Sequence, residues 1–166
     1  MLSISAVTTQ KKPNAFKKLL DTVNGMVEKG VVAGFPRGRL NTPHYQSSAN
    51  SKPGASIIDV AIYNNYGMGV PRRDFMTPAS KKWMKFFKEA YTMVQREMIE
   101  EKIDIDKFLQ DMGRKGQNII YNEITALDTP PNAPSTIKRK GSSNPLIDTG
   151  AMRQAATWQI RGRKSE

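Results

Sequence analysis

Cysteine is missing from this chain altogether, and histidine occurs once, at His44. The first absence excludes disulfides and thiolate metal ligation. The second leaves too few nitrogen donors for a zinc site of the usual kind. No apolar run reaches the roughly 18 residues that a membrane-spanning helix needs, so no membrane partner is expected. The N-terminal MLSISAVTTQKKP places its charges after a short, mildly apolar stretch, the reverse of a secretory signal. A GxxxxGK[ST] phosphate loop, a GxGxxG turn after a strand, HExxH and GxSxG are all missing. The expectation is a protein that is not an enzyme, takes no cofactor or metal, and folds without staples in a cytoplasm.

Acidic residues are also short in number, 15 against 26 Lys and Arg, giving a net charge of +11 and a pI near 10.0. Such an excess suits an acidic partner: nucleic acid, an anionic surface or an acidic protein face. Excess lysine also serves solubility alone. The charge is segregated. Residues 1–55 carry +6 and residues 129–166 carry +5, whereas 56–103 carry +2 and 104–128 carry −2. With 166 residues and 38% hydrophobic content, the chain can bury one core, and it reads as a single domain over 1–166.

After an N-terminal arm (1–13), Phe16, Leu19, Leu20, Val23, Met26 and Val27 recur at helical spacing. They predict an amphipathic helix over 14–29, capped by Asn14 and stopped by Gly30. Val31–Phe35 reads as a strand closed by Pro36. Residues 36–55, with Arg37, Arg39, His44 and Tyr45, show no period and read as a long loop. His44 has no nucleophile or carboxylate beside it and reads as a loop residue. Ser56 and Asp59 have capping-box spacing. The VAIYNNYG that follows could alternate as a strand, but the cap and Gly67 favour a short helix. Arg72 and Arg73 could grip phosphate or carboxylate, or pair with Asp74 or an acidic helix. Thr77-Pro78 predicts a helix start, and Trp83, Phe86, Phe87, Ala90, Tyr91, Val94 and Met98 predict one buried stripe to about Glu101. Asp104 or Asp106 caps a second helix through Leu109, Met112, Gly116, Ile120, Glu123 and Leu127. Gly113 and Gly116 near that stripe each cost about 1 kcal/mol against Ala, a cost that close helix approach would offset. The two helices predict a hairpin beneath a sheet.

Residues 130–162 hold four prolines, the basic run Lys138-Arg139-Lys140, a Gly-Ser-Ser turn and Asp148-Thr149-Gly150. This mixture predicts a shaped loop over 129–147 without helix. Ala155–Arg161 then alternates as a strand with Trp158 and Ile160 inward, and 162–166 reads as a frayed tail. Leu146-Ile147-Asp148-Thr149-Gly150-Ala151 matches an aspartic-protease signature. That chemistry needs two aspartates sharing a proton and strands downstream, where this sequence has sixteen residues after Gly150. The alternative is structural: the Asp148 carboxylate accepts the amide of Gly150 or Ala151 as a cap, and Gly150 permits a tight turn. The expectation is thus an anchor formed by Asp148, Gly150 and Trp158. Lys138–Lys140 and Arg161–Lys164 could also contact phosphates non-specifically.

Three stretches together resemble the tail-completion or neck proteins of tailed bacteriophages, a virion-morphogenesis group. One is the helix leading into Val31-Val32-Ala33-Gly34-Phe35-Pro36-Arg37-Gly38. Another is Val60–Gly67 followed by Pro71-Arg72-Arg73-Asp74-Phe75-Met76-Thr77-Pro78-Ala79. The third is Pro131–Ile137 with Lys140-Gly141, then Pro145–Gly150 and a strand with Trp158. Asp74 stands where that family more often has proline, and Asn65 where it often has an acid. The resemblance covers nearly the whole chain.

It implies an α+β subunit: a small antiparallel or mixed sheet on a long helical hairpin, an N-terminal helix and two long interaction loops. It also implies a homo-oligomeric ring, expected to be a hexamer, at the head–tail junction of a virion assembled in the host cytoplasm. Expected partners are other copies, neighbouring neck or connector proteins, tail-tube or sheath proteins, and non-specifically the passing DNA. Candidate contact residues are Arg37, Arg39, Arg72, Arg73, Lys138, Arg139 and Lys140. The alternatives are a tail terminator capping the tube or sheath, and a non-specific nucleic-acid-binding module.

Overall fold

The structure, a computed structural model, describes residues 17, 20, 21, 24, 28–35, 55–99 and 104–162. Among them the order is β1 (Lys29–Gly34), α1 (Ile57–Tyr66), α2 (Met76–Ile99), α3 (Ile105–Ala126), α4 (Pro134–Lys140), α5 (Ala151–Ala155) and β2 (Thr157–Gly162). The fold is α+β, with a two-stranded antiparallel sheet packed on a long helical hairpin. Residues 17, 20, 21, 24 and 28 are helical; the rest of the expected N-terminal helix lies outside the described residues. So do the N-terminal arm, the loop 36–54 with Arg37, Arg39 and His44, and residues 163–166. Gly30 does not act as a helix stop: β1 has already begun at Lys29.

The sheet pairs Val31 with Ile160 and Ala33 with Trp158. Directly opposed residues share a face, and this face lies on α3. Gly113 and Gly116 are buried there. A Cβ at Gly113 would meet the Trp158 ring at 2.4 Å, and one at Gly116 would meet the Ala33 Cβ at 2.7 Å and Trp83 at 2.8 Å. The expected compensation for helical glycine is present, but the close neighbour is mainly the sheet rather than the partner helix. Trp83 completes the joint by donating its indole N–H to the Met112 carbonyl at 3.0 Å.

Apolar burial falls into two neighbouring groups. Val94, Phe108, Leu109 and Met112 gather where α2 and α3 meet the far half of the sheet, with Val31 and Ile160 against them. Phe75, Ala79, Ile120, Ile124, Leu146 and Met152 gather at the other end, joined by Ile57 and Ala61 of α1. Phe75 and Ile124 are the most completely enclosed large side chains among the described residues. Tyr91, expected in the stripe, is exposed instead.

The helix ends follow local chemistry. Ser56 and Asp59 form the full capping box of α1, and Gly67 closes it with φ 77°. Asp104, not Asp106, caps α3 by accepting the Lys107 amide, while Asp106 pairs with Lys29 at 2.6 Å. α2 starts one residue before Thr77, because Asp74 Oδ1 accepts the Thr77 amide at 3.0 Å and Asn65 Oδ1 accepts that of Met76. Thr77 is therefore inside the helix and Asp74 takes the capping role.

Gly113→Ala sets a helix-propensity gain of about 1 kcal/mol against overpacking of roughly 1–3 kcal/mol. The Trp158 ring lies directly against Gly113, so a net loss of up to about 2 kcal/mol is expected in urea unfolding. A variant as stable as the parent would show that the sheet can shift on α3.

Candidate interaction surface

The segment from Pro130 to Gly150 leaves the end of α3, turns outward and returns to α5. It is not irregular throughout. Residues 134–140 form α4, correcting the expectation of a loop without helix. Pro134 stands in its first turn and Gly141 closes it at φ 68°, the arrangement that suits each residue's backbone preference. Lys138, Arg139 and Lys140 occupy its last turn, where cations meet the negative end of the helix dipole. No α4 residue is fully buried, and a seven-residue helix is marginal by itself. Contacts on either side hold it.

Arg73 makes the first of these. Its residue is 7% exposed, which overturns its assignment to an outward contact surface. Nε donates to the Pro130 carbonyl at 3.2 Å, and Nη2 reaches the Asn132 Oδ1 at 3.1 Å and the Pro131 carbonyl at 3.5 Å. Nη1 donates to Asn64 Oδ1 at 3.3 Å, and the Arg73 amide donates to the Asn64 carbonyl at 2.7 Å. Burial holds the guanidinium pKa below its ordinary value, yet arginine stays protonated at any working pH. The planar fork thus spans three successive residues of the departing chain and one turn of α1.

The second contact is Asn144. Its Oδ1 accepts the Leu146 and Ile147 amides at 2.9 and 3.0 Å, and its Nδ2 donates to the Thr125 carbonyl at 2.9 Å. Asn132 Nδ2 donates to the Asn144 carbonyl at 3.2 Å. Together these bonds link Arg73 to the end of α3 through Asn132 and Asn144. Lys140 also turns inward, donating to the carbonyls of Asn144 and Pro145 at 3.3 and 3.4 Å. Desolvation lowers its pKa, opposed by the nearby Asp148 charge. Of the basic run, Lys138 and Arg139 face solvent and Lys140 is half-buried.

Arg72 is exposed and pairs with Asp74 at 2.8 Å. The Thr77 amide, more than any charge, holds the Asp74 carboxyl below the usual carboxylate range. Gly150, at φ 80°, takes the cap position of α5, and the Ala151 amide donates to Thr149 Oγ1 at 3.3 Å. Residues 151–155 are helical, so β2 starts at Thr157 rather than Ala155. Trp158 does anchor the return, through Gly113.

The structure thus separates the candidate residues by role. Arg72, Lys138 and Arg139 lie at the surface; Arg73 and Lys140 brace the segment that carries the latter two. Sequence reading missed Asn64, Asn132 and Asn144. Asn144 before Pro145 is a turn signal, whereas nothing local marks Asn132 as a link between distant segments. Among the described residues, no group of three His, Asp or Glu lies close enough to hold a metal, and no helix is long and apolar enough to cross a membrane. Comparison with protein-family models, with curated proteins and with solved structures finds no match for the chain.

Two predictions follow from these bonds. Arg73→Ala removes hydrogen bonds to four acceptors, the one to Asn132 buried, and should cost about 2–4 kcal/mol, with faster amide exchange over residues 130–147 than over α3. Uniform exchange loss would assign Arg73 to the core rather than to the segment. For Asp74, the depressed folded pKa adds stability above its unfolded pKa, near 3.9, that is lost as pH falls through the folded value. Urea titrations from pH 6 to pH 2.5 should therefore fall more steeply for the parent than for Asp74→Asn; parallel curves would remove this contribution.

Proposed function

We propose that the chain is a structural subunit that forms a ring at the head–tail junction of a tailed bacteriophage, completing the tail and joining it to the head. The observation that carries this reading is the braced segment 130–150. A surface helix with no fully buried residue is held by a hydrogen-bonded Arg–Asn–Asn link while Lys138 and Arg139 stay in solvent. Ordering this helix costs conformational entropy and gains only the partial burial of Thr136, Ile137 and Lys140, which suits a part whose contacts lie in another molecule. The three-stretch sequence resemblance supplies the identity of that assembly, and the basic excess suits an acidic neighbouring ring.

A tail terminator capping the tube or sheath uses the same kind of subunit and is the second form of this reading. In either, Lys138 and Arg139 meet a neighbouring ring, whereas Arg73 and Lys140 act from inside. The subunit's place is the virion neck, and its assembly takes place in the host cytoplasm.

The test is incorporation. Purified phage particles should contain the chain at the neck by immunogold labelling, and Lys138→Glu with Arg139→Glu should leave folding intact while yielding unjoined heads and tails. Particles that join normally without the chain would end this reading. Salt-sensitive binding of duplex DNA with no virion defect would favour the nucleic-acid-binding alternative.

A further inference from the structure

The long helix α2 carries two charged stripes of opposite sign, each with an exposed methionine. Lys81, Lys85 and Lys88 face directly away from the core, with Met84 beside them at 57% exposure. These residues and Glu89 line a shallow, open groove between side chains of this one helix. Around the helix lie Glu89, Met93 and Glu97 at successive i, i+4 positions, all exposed, with Met93 at 71%. The basic stripe is about 10 Å long and the acidic one about 12 Å, at 1.5 Å per residue. At 100° per residue, their mean directions differ by roughly 110°.

Neighbouring charges are already engaged. Lys82 pairs with Glu123, and Lys115 lies 4.8 Å from the centre of the Phe86 ring. Among the described residues, none of Lys81, Lys85 and Lys88 makes an ion pair. Glu89 lies one turn beyond Lys85 and borders both stripes, whereas Glu97 lies further round and along the helix, out of reach of the three lysines.

We propose that a second copy of this chain occupies the basic groove, presenting its Glu89–Met93–Glu97 stripe to Lys81, Met84, Lys85 and Lys88. Charge sets the register, and the two methionines supply adaptable apolar contact. Each copy then offers one stripe to the neighbour before it and the other to the neighbour after it. Such a heterologous joint propagates, and closes into a ring when its rotation divides the circle. The inference rests on the ring reading above and names the surfaces that would build it.

Sedimentation velocity on the full chain tests it with two sets of surface substitutions. One variant carries Lys81→Gln, Lys85→Gln and Lys88→Gln; the other carries Glu89→Gln, Met93→Ser and Glu97→Gln. The parent should form species larger than a dimer at low salt. Each variant alone should associate at least about tenfold more weakly, with unchanged circular dichroism. An equimolar mixture should form dimers and stop there, because one intact joint remains per pair and neither free face can extend it. A parent that stays monomeric, variants that assemble normally, or a mixture that recovers nothing would each overturn the proposal. Assembly untouched by either variant would leave the ring reading standing on another surface. Salt-sensitive oligomers in a protein missing from the virion would do the opposite. Loss of duplex DNA binding in the lysine variant, with self-association intact, would assign the groove to nucleic acid and also overturn the proposal.

Discussion

A buried guanidinium holds the departing side of this molecule's outlying segment to its body. Arg73 gives up hydration for neutral oxygens from Pro130, Pro131, Asn132 and Asn64. Charge-assisted hydrogen bonds are stronger than neutral ones, and their strength offsets the desolvation that lowers the Arg73 pKa. The bonds cross three parts of the chain: the end of α1, the link into α2, and the segment leaving α3. Lysine has no planar fork with which to reach all of them. The position of α4, and so of Lys138 and Arg139, depends on this side chain on one flank and on Asn144, bonded to Thr125 and Asn132, on the other.

The body depends on a different constraint, the thinness of α3 at Gly113 and Gly116. Two missing side chains let the sheet lie directly on the helix backbone, with Trp158 and Ala33 filling the space. A two-stranded ribbon has little independent stability, so its order comes from this surface. Because β1 and β2 are far apart in sequence, the joint also ties the first described strand to the last. The helical hairpin is the scaffold, and the glycines are where the sheet is fitted to it.

Much of this body was legible in the sequence because its signals are local. The Ser56/Asp59 cap, the Gly67 stop, the aromatic stripe of α2 and the alternation around Trp158 each follow from residues within a turn or two. The glycine pair was legible as a close approach, though not as an approach by the sheet. Failures occurred where distance along the chain decides. Arg73 and its neighbour Arg72 look alike in sequence, yet one is buried among residues near 130 and the other is paired in water with Asp74. Lys138 and Lys140 differ in the same way. The four prolines masked α4, although Pro134 and Gly141 stand where a short helix begins and ends. In the turn before β2 the Ala151 amide donates to Thr149 Oγ1, a hydroxyl that the Asp-Thr-Gly pattern did not single out.

The molecule therefore uses two kinds of adhesion for two purposes. Its body is joined by apolar burial, which is cooperative and insensitive to the exact contents of the surface. Its outlying helix is joined by directional hydrogen bonds at both flanks and by partial burial of Ile137, with full apolar burial resumed from Pro145 and Leu146 onward. Complete burial of α4 would have hidden its basic turn. Fixing the chain on either side instead leaves the basic turn exposed and still oriented, so a partner need not supply the entropy of ordering it. That preorganisation, not any reactive group, is the physical case for recognition at Lys138 and Arg139.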